Sequence, residues 1–77
     1  MIIWEFDART CADTLRELRL DARLTQTQLA QKANVNINTI RNYEQGGRLP
    51  YFPILLKLAR ALNIDEIRID TRKEWYL

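Results

Sequence analysis

Near the middle of the chain, Ile37 and Asn38 precede Arg41 and Asn42 by one helical turn. An Asn side chain can pair with adenine, an Arg side chain with guanine, and an Ile side chain can pack on the methyl group of thymine. A nine-residue helix from Ile37 to Gln45 would be roughly 13 Å long, which suits a major groove about 12 Å wide. Geometry therefore predicts that these four residues read base edges. The alternative is that the two Asn residues and the Arg only solvate an exposed helix.

Catalytic and metal-binding residues are scarce. The 77 residues include no histidine and one cysteine, Cys11, so a Ser–His or Cys–His pair and the usual metal centres cannot form. Cys11 falls on the apolar face of a predicted helix, where a thiol is expected to be part of the core. The neighbouring carboxylates Asp65 and Glu66 would point to different sides of their element. The sequence predicts no enzyme, no metal and no cofactor.

Two short helices are expected to position the candidate base-reading residues. Thr25 and Gln28 have the spacing of a capping box, which predicts a helix over Gln26–Ala33. Asn34 follows, and asparagine tolerates the left-handed conformation that ends many helices. The chain can therefore turn sharply at Asn34.

Asn36 can cap the second of these helices, Ile37–Gln45, and glycines 46 and 47 would end it. Ile40 and Tyr43 then face inward. Small Ala30 falls where the backbones of two steeply crossing helices approach most closely. The spacing from 25 to 46 is thus that of a helix-turn-helix.

Longer helices are predicted on both sides, over Ala8–Ala22 and Tyr51–Leu62, with Pro53 in the first turn of the latter. The ends of the chain instead alternate apolar and polar residues, over 2–7 and 66–70, with the period of half-buried strands. Residues 71–77 could equally begin a helical turn. The predicted buried stripes are Cys11, Leu15, Leu18 and Ala22 in the first helix, and Leu55, Leu58, Ala59 and Leu62 in the last.

Length and composition favour a single domain over residues 1–77. The predicted helices make it an all-α domain of four to five helices, with a core over about 8–64 and short terminal strands as an open alternative. The single cysteine favours a reducing cytoplasm. Neither a signal peptide nor an apolar run of the ~20 residues that cross a bilayer is present, which predicts no membrane association.

Charge is unevenly distributed around the net value of +2. Residues 23–60 contain six basic residues and one acidic residue, a balance of +5, whereas the two flanks together contain six basic and nine acidic residues, a balance of −3. A basic centre between acidic ends is typical of a nucleic-acid-binding face. Chance clustering on a solvated surface is the alternative.

The stretch from Thr25 to Gly46 resembles the lambda-repressor-like (Cro/XRE-type) helix-turn-helix family of DNA-binding regulators. The likeness covers roughly residues 12–64 and departs from the family at Asn34, where glycine is usual, and after Ile64, where a fifth helix is frequent. It implies the same base-reading positions and a DNA partner. The matching segments are Leu18-Arg19, Thr25-Gln26-Thr27-Gln28-Leu29-Ala30-Gln31-Lys32, Tyr43-Glu44-Gln45-Gly46, Pro50 and 55–64.

Backbone phosphates are expected at the ends of the same two helices. The amides and dipole of a helix N-terminus favour an anion beside Thr25 and Gln26, although capping is the main role expected of Thr25. The resemblance implies the same contact for Gln26. Asn36 and Gln45 are assigned to phosphate as well, and Arg48 in the glycine loop is a candidate phosphate clamp or minor-groove insertion.

The resemblance further implies a partly buried ion pair between Arg19 and Glu44 that ties the first helix to the end of the base-reading helix. Both residues are therefore interpreted as structural. Removing one partner of such a pair leaves an uncompensated charge.

One recognition helix contacts few base pairs, so a homodimer on a palindromic operator, acting as a repressor, is expected. Ile2, Trp4 and Phe6 with Ile67–Leu77 are hypothesised to pair two protomers, because aromatics at chain ends are unusual. Two alternatives stay open. One is an antitoxin that binds a toxin and represses its own operon. The other is a helix-turn-helix that serves only as an interaction scaffold.

Overall fold

A computed structural model describes residues 3–6, 10–46 and 50–69. Within these three ranges, four helices lie between two short strands, which confirms the expected all-α class with terminal strands. No helix in these three ranges has the length and apolarity to cross a membrane. In chain order the elements are β1 (Ile3–Phe6), α1 (Cys11–Asp21), α2 (Gln26–Ala33), α3 (Ile37–Glu44), α4 (Phe52–Ala61) and β2 (Glu66–Ile69).

The start of α2 is fixed by the predicted capping box. The Gln28 amide donates to Thr25 Oγ1 at 3.0 Å, and the Thr25 amide donates to Gln28 Oε1 at 2.8 Å. Two of the amides that a helix N-terminus leaves unpaired are thereby satisfied. The predicted bounds of α2 are confirmed at both ends.

Three helices end in the same way. A residue with φ between 57° and 60° follows the helix, and the next residue is apolar and half-buried. The amide of that apolar residue lies 2.9 to 3.1 Å from the carbonyl five residues earlier, which is the Schellman arrangement. The pairs are Arg23–Leu24 after α1, Asn34–Val35 after α2 and Asn63–Ile64 after α4.

The limits predicted for α1 were too wide. The helix begins at Cys11 and ends at Asp21, and Ala22, expected in the buried stripe, is exposed. The left-handed conformation of Arg23 turns the chain away at this point, so the next apolar side chain to reach the core is Leu24.

The core lies where the helices meet. α3 packs against both α1 and α2, and α2 also packs against α4. Leu15, Leu29, Ile40 and Leu58, one from each helix, are fully buried. Cys11 is buried among them, which confirms its assignment to the core.

The two ends of the chain pair with each other. β1 and β2 form a parallel sheet in which Ile3 lies opposite Glu66 and Phe6 opposite Ile69. Trp4, in the centre of β1, is 1% exposed and belongs to the core of its own protomer. Trp4 therefore cannot form part of a surface patch between protomers, as hypothesised. Ile67, also assigned to that patch, is half-buried and packs against the same core, and Arg68 is exposed. The remaining members of the patch, Ile2, the side chains of Phe6 and Ile69, and residues 70–77, lie outside the described residues.

Candidate nucleic-acid interface

The outward face of α3 presents amide and guanidinium groups within one helical turn. Asn38, Arg41 and Asn42 are all exposed. Arg41 Nη1 donates to Asn38 Oδ1 at 3.4 Å, a long contact that leaves most of both groups accessible. Ile37 differs from its predicted companions, because it is half-buried and packs against the core. Only part of its side chain is available to a ligand.

Asn36 has a structural task at the start of α3. Its Oδ1 accepts a hydrogen bond from the Asn38 amide at 2.8 Å, which is the N-cap expected from the sequence. The cap orients the first turn of α3 and so the backbone that supports Asn38. At the other end of the helix, Gln45 is exposed and lies in the C-cap position.

A buried ion pair joins α1 to the inward side of α3. Arg19 Nε lies 2.7 Å from Glu44 Oε2, and Arg19 Nη2 lies 3.0 Å from Glu44 Oε1. The guanidinium and the carboxylate thus meet through two parallel hydrogen bonds, the strongest geometry for such a pair. The side chains are 11% and 4% exposed. Arg19 Nη1 also donates to the Leu24 carbonyl at 2.9 Å.

Gln26 adds the first turn of α2 to this network. Its side-chain amide nitrogen donates to Glu44 Oε1 at 3.2 Å, and the residue is half-buried. Glu44 therefore accepts hydrogen bonds from α1 and from α2 while belonging to α3. This carboxylate thus links α2 to α3, the two helices of the helix-turn-helix, through a side-chain hydrogen bond.

A hydrogen bond to a tyrosine links the C-terminal part of α3 to the start of α4. Tyr43 is 4% exposed, and its hydroxyl oxygen accepts a hydrogen bond from the Tyr51 amide at 3.2 Å. Tyr51 is the N-cap of α4, whose side chain makes no capping bond. The sequence predicted that Tyr43 faces inward but gave no signal for this bond, which depends on how the chain returns after α3.

The exposed charges on α2 and α3 are positive. Glu44 is the one acidic residue between Thr25 and Gly46, and it is 6% exposed and neutralised by Arg19. The exposed charged side chains from Thr25 to Gly46 are Lys32 and Arg41. An anion approaching α2 and α3 would therefore meet amides, hydroxyls and cations but no carboxylate.

Of the five residues predicted to contact phosphate, Arg48 lies outside the described residues. Thr25 and Asn36 are exposed caps of α2 and α3, Gln26 is tied to Glu44, and Gln45 is exposed. The structure thus brings four of them to the ends of α2 and α3.

No group of three or more His, Cys, Asp or Glu side chains that could hold a metal ion occurs in the described ranges.

Together, the capped pair α2 and α3, the sharp turn at Asn34 and the exposed polar face of α3 define a helix-turn-helix domain of the DNA-binding class. A family model described as "Helix-turn-helix domain" matches residues 11–71. The chain belongs to this family, and the resemblance to lambda-repressor-like (Cro/XRE-type) regulators is confirmed.

The chain is similar to a part of each of several curated proteins. Multiprotein-bridging factor 1 of Candida albicans is 40% identical over 50 residues, which is 65% of this chain and 33% of that protein. Multiprotein-bridging factor 1a of Arabidopsis thaliana is 46% identical over 49 residues, 64% of this chain and 34% of that protein. HTH-type transcriptional regulator ImmR of Bacillus subtilis is 40% identical over 50 residues, 65% of this chain and 39% of that protein. The chain spans about a third of the length of these relatives.

Proposed function

We propose that the protein is a small cytoplasmic transcriptional repressor that binds a palindromic operator as a homodimer. The observation that carries this proposal is the outward face of α3, where Asn38, Arg41 and Asn42 are exposed on a helix whose inward face is fixed to α1 and α2. A helix held on its inward face, with exposed amide and guanidinium groups on its outward face, can read base edges in a major groove. The name of the Bacillus relative, a transcriptional regulator, supports the same function.

In this proposal Asn38 and Arg41 supply the main base contacts, with Asn42 one turn further along and Ile37 contributing the exposed part of its side chain. The 3.4 Å contact between Asn38 and Arg41 would be exchanged for bonds to neighbouring bases. Each good pairing of this kind discriminates against the wrong base by about 1–3 kcal/mol.

Phosphates on either side of the groove would be held by the ends of α2 and α3. Gln26 can serve both the fold and the DNA, because a carboxamide nitrogen carries two hydrogens and the bond to Glu44 uses one. Thr25, Asn36 and Gln45 lie at helix ends, and Arg48 completes the proposed set. These contacts position the domain without reading sequence.

Salt titration tests the proposal and separates it from a scaffold that does not bind DNA. Binding to a labelled duplex, measured by fluorescence anisotropy, is expected to weaken log-linearly with salt, with a slope of about −0.9 per neutralised phosphate. Arg48→Gln should reduce the slope by about one. Arg16→Gln, which removes a cation paired with Asp13 on α1, is the matched control and should leave the slope unchanged. Flat salt dependence, or no binding in low salt, would contradict the proposal.

A further inference from the structure

We propose that the concavity between α2 and α4 binds a small ligand that carries two or more adjacent phosphate groups. Lys32 lines this concavity from α2, and Lys57 and Arg60 line it from α4. The other described residues that line it, Ala33 and Ala61, are buried. Its volume is about 260 Å³. None of these five residues is acidic and none belongs to α3, so the site does not depend on the proposed base-reading surface.

The three cations of the concavity have no counter-charge within the described ranges. Lys32, Lys57 and Arg60 are exposed, and no ion pair or side-chain hydrogen bond joins any of them to another described residue. By contrast, both arginines of α1 and the arginine of β2 are paired with carboxylates. Like charges around one concavity repel each other. An anion bound between them would therefore stabilise the folded protein.

Helix dipoles offset only part of this charge. Lys32 and Arg60 lie in the last turns of α2 and α4, and each helix C-terminus is equivalent to roughly −0.5 elementary charge. The two ends together offset about one of the three positive charges, so an excess of about +2 is left. Placement of cations at helix ends accounts for part of the cluster but not for all of it.

The concentration of this charge favours one class of anion. The phosphate groups of an oligophosphate share bridging oxygens, so two or more of them fit within the volume of the concavity. Successive phosphates of a nucleic acid strand are separated by a sugar, and the carboxylates of an acidic peptide belong to separate residues, so the concavity would receive fewer charges from either. An Arg side chain binds phosphate oxygens through its planar fork, and Lys side chains bind them as point charges.

The phosphates can belong to an inorganic oligophosphate or to a nucleoside oligophosphate. Arg60 also lines the apolar groove between α4 and β2, together with Phe52 and Leu56, which are 50% and 37% exposed. A ligand with its phosphates on one side of Arg60 can place an aromatic ring on the other side, against Phe52. The two sources share the phosphate chemistry and differ in their use of this groove.

Isothermal titration calorimetry with sodium tripolyphosphate, in buffer without magnesium, tests the site. We expect one ligand per chain and a rise in Tm of about 5–10 °C at ten times the Kd. Lys57→Gln with Arg60→Gln should weaken binding at least about tenfold, because two charge-assisted contacts are lost. Lys32→Gln should weaken it several-fold as well, since the site needs both helices. Wild-type protein that neither binds tripolyphosphate nor is stabilised by it would overturn the inference.

Arg16→Gln with Arg23→Gln is the matched control, because it removes two positive charges from exposed side chains outside the concavity. This control should bind tripolyphosphate as the wild type does, and sodium sulfate at equal ionic strength should not displace the ligand. Equal weakening in the control, or displacement by sulfate, would show a general attraction of anions and overturn the inference. Cooperative thermal melts identify folded variants, and Lys57→Gln alone replaces the double variant if that variant does not fold.

Adenosine triphosphate distinguishes the two sources of phosphate. If it binds more tightly than tripolyphosphate and Phe52→Ala removes the difference, the ligand is a nucleoside oligophosphate. If it binds equally or more weakly and Phe52→Ala has no effect, the ligand is an inorganic oligophosphate. An octaglutamate peptide that binds as tightly as tripolyphosphate would overturn the inference in favour of an acidic protein partner.

Duplex DNA is the remaining competitor for these cations. Lys57→Gln with Arg60→Gln should keep the DNA affinity of the wild type and its dependence on salt. A salt slope reduced by about two would place both cations on the DNA backbone and overturn the inference. Wild-type protein that binds tripolyphosphate but no DNA would contradict the proposed function and leave the phosphate site intact.

Discussion

The two faces of α3 carry similar polar groups under different constraints. On the inward face, Glu44 accepts hydrogen bonds from Arg19 and Gln26 and is 6% exposed. On the outward face, Asn38 and Arg41 are exposed and touch each other at 3.4 Å. Polar groups satisfied inside the protein fix the helix, whereas exposed ones can exchange water for a ligand. The comparison predicts that inward substitutions change stability and outward substitutions change recognition.

The largest effect is expected from Glu44→Ala. It leaves the Arg19 guanidinium buried without its carboxylate, which costs about 3–5 kcal/mol, close to the roughly 3–5 kcal/mol that a chain of this size has in total. We expect the cooperative melt followed by circular dichroism to be lost.

Asp13→Ala is the matched control for Glu44→Ala, because Arg16 and Asp13 form an exposed ion pair, and such pairs contribute about 0–1 kcal/mol. Replacing both buried partners, Arg19→Met with Glu44→Leu, should recover part of the stability. A Glu44→Ala melt identical to that of the wild type would show that the ion pair does not hold α3.

A smaller effect on the inward face is expected from Tyr43→Phe. The ring stays in the core, but the Tyr51 amide loses its acceptor, and the free energy of unfolding should fall by about 1 kcal/mol. Tyr51→Phe removes a hydroxyl from a side chain that is 69% exposed and should leave stability unchanged. If both variants are equally stable in urea denaturation, the bond between the Tyr51 amide and the Tyr43 hydroxyl does not contribute to stability.

Asn36, the N-cap of α3, is predicted both to stabilise the fold and to contact phosphate, and two substitutions separate these roles. Loss of the N-cap in Asn36→Ala should destabilise the domain by about 1 kcal/mol. Asn36→Asp keeps the cap and its stability but places a negative charge where phosphate is proposed to lie, so its DNA affinity should fall. If Asn36→Asp binds DNA as tightly as the wild type, Asn36 is a cap and not a phosphate contact.

The smallest change in stability is expected on the outward face. Arg41→Ala removes an exposed side chain whose described contact is long, so the free energy of unfolding should stay within about 0.5 kcal/mol of wild type. Base preference at one operator position should relax instead. A clear loss of stability would mean that Arg41 supports the fold.

The sequence predicted the helix-turn-helix well because its signals are local. Thr25, Gln28 and Asn34 set the ends of α2 through bonds within a few residues, and such bonds can be recognised from spacing. The end of α1 was missed because Arg23 adopts a left-handed conformation that arginine seldom takes. The apolar Leu24 after it was the available signal, since the same pairing of a left-handed residue with an apolar one ends α2 and α4.

Tertiary contacts were predicted less completely. The resemblance implied the pair of Arg19 and Glu44, but nothing in the sequence indicated that Gln26 joins it or that Tyr43 bonds the Tyr51 amide. Alternation at the chain ends predicted strands, yet a period of two cannot tell whether Trp4 packs in its own protomer or in another. The position of Trp4 depends on the parallel pairing of β1 with β2, which are the first and last described elements of the chain.

The account's central claim is that the outward face of α3 reads bases while its inward face holds the fold. Selection of bound sequences from a random duplex pool, carried out with the wild type and with Asn38→Ala, tests this claim most directly. We expect a palindromic consensus for the wild type and, for Asn38→Ala, altered preference at one base position per half-site with an unchanged melt. Equal loss of affinity on all sequences, or no consensus for the wild type, would contradict the claim.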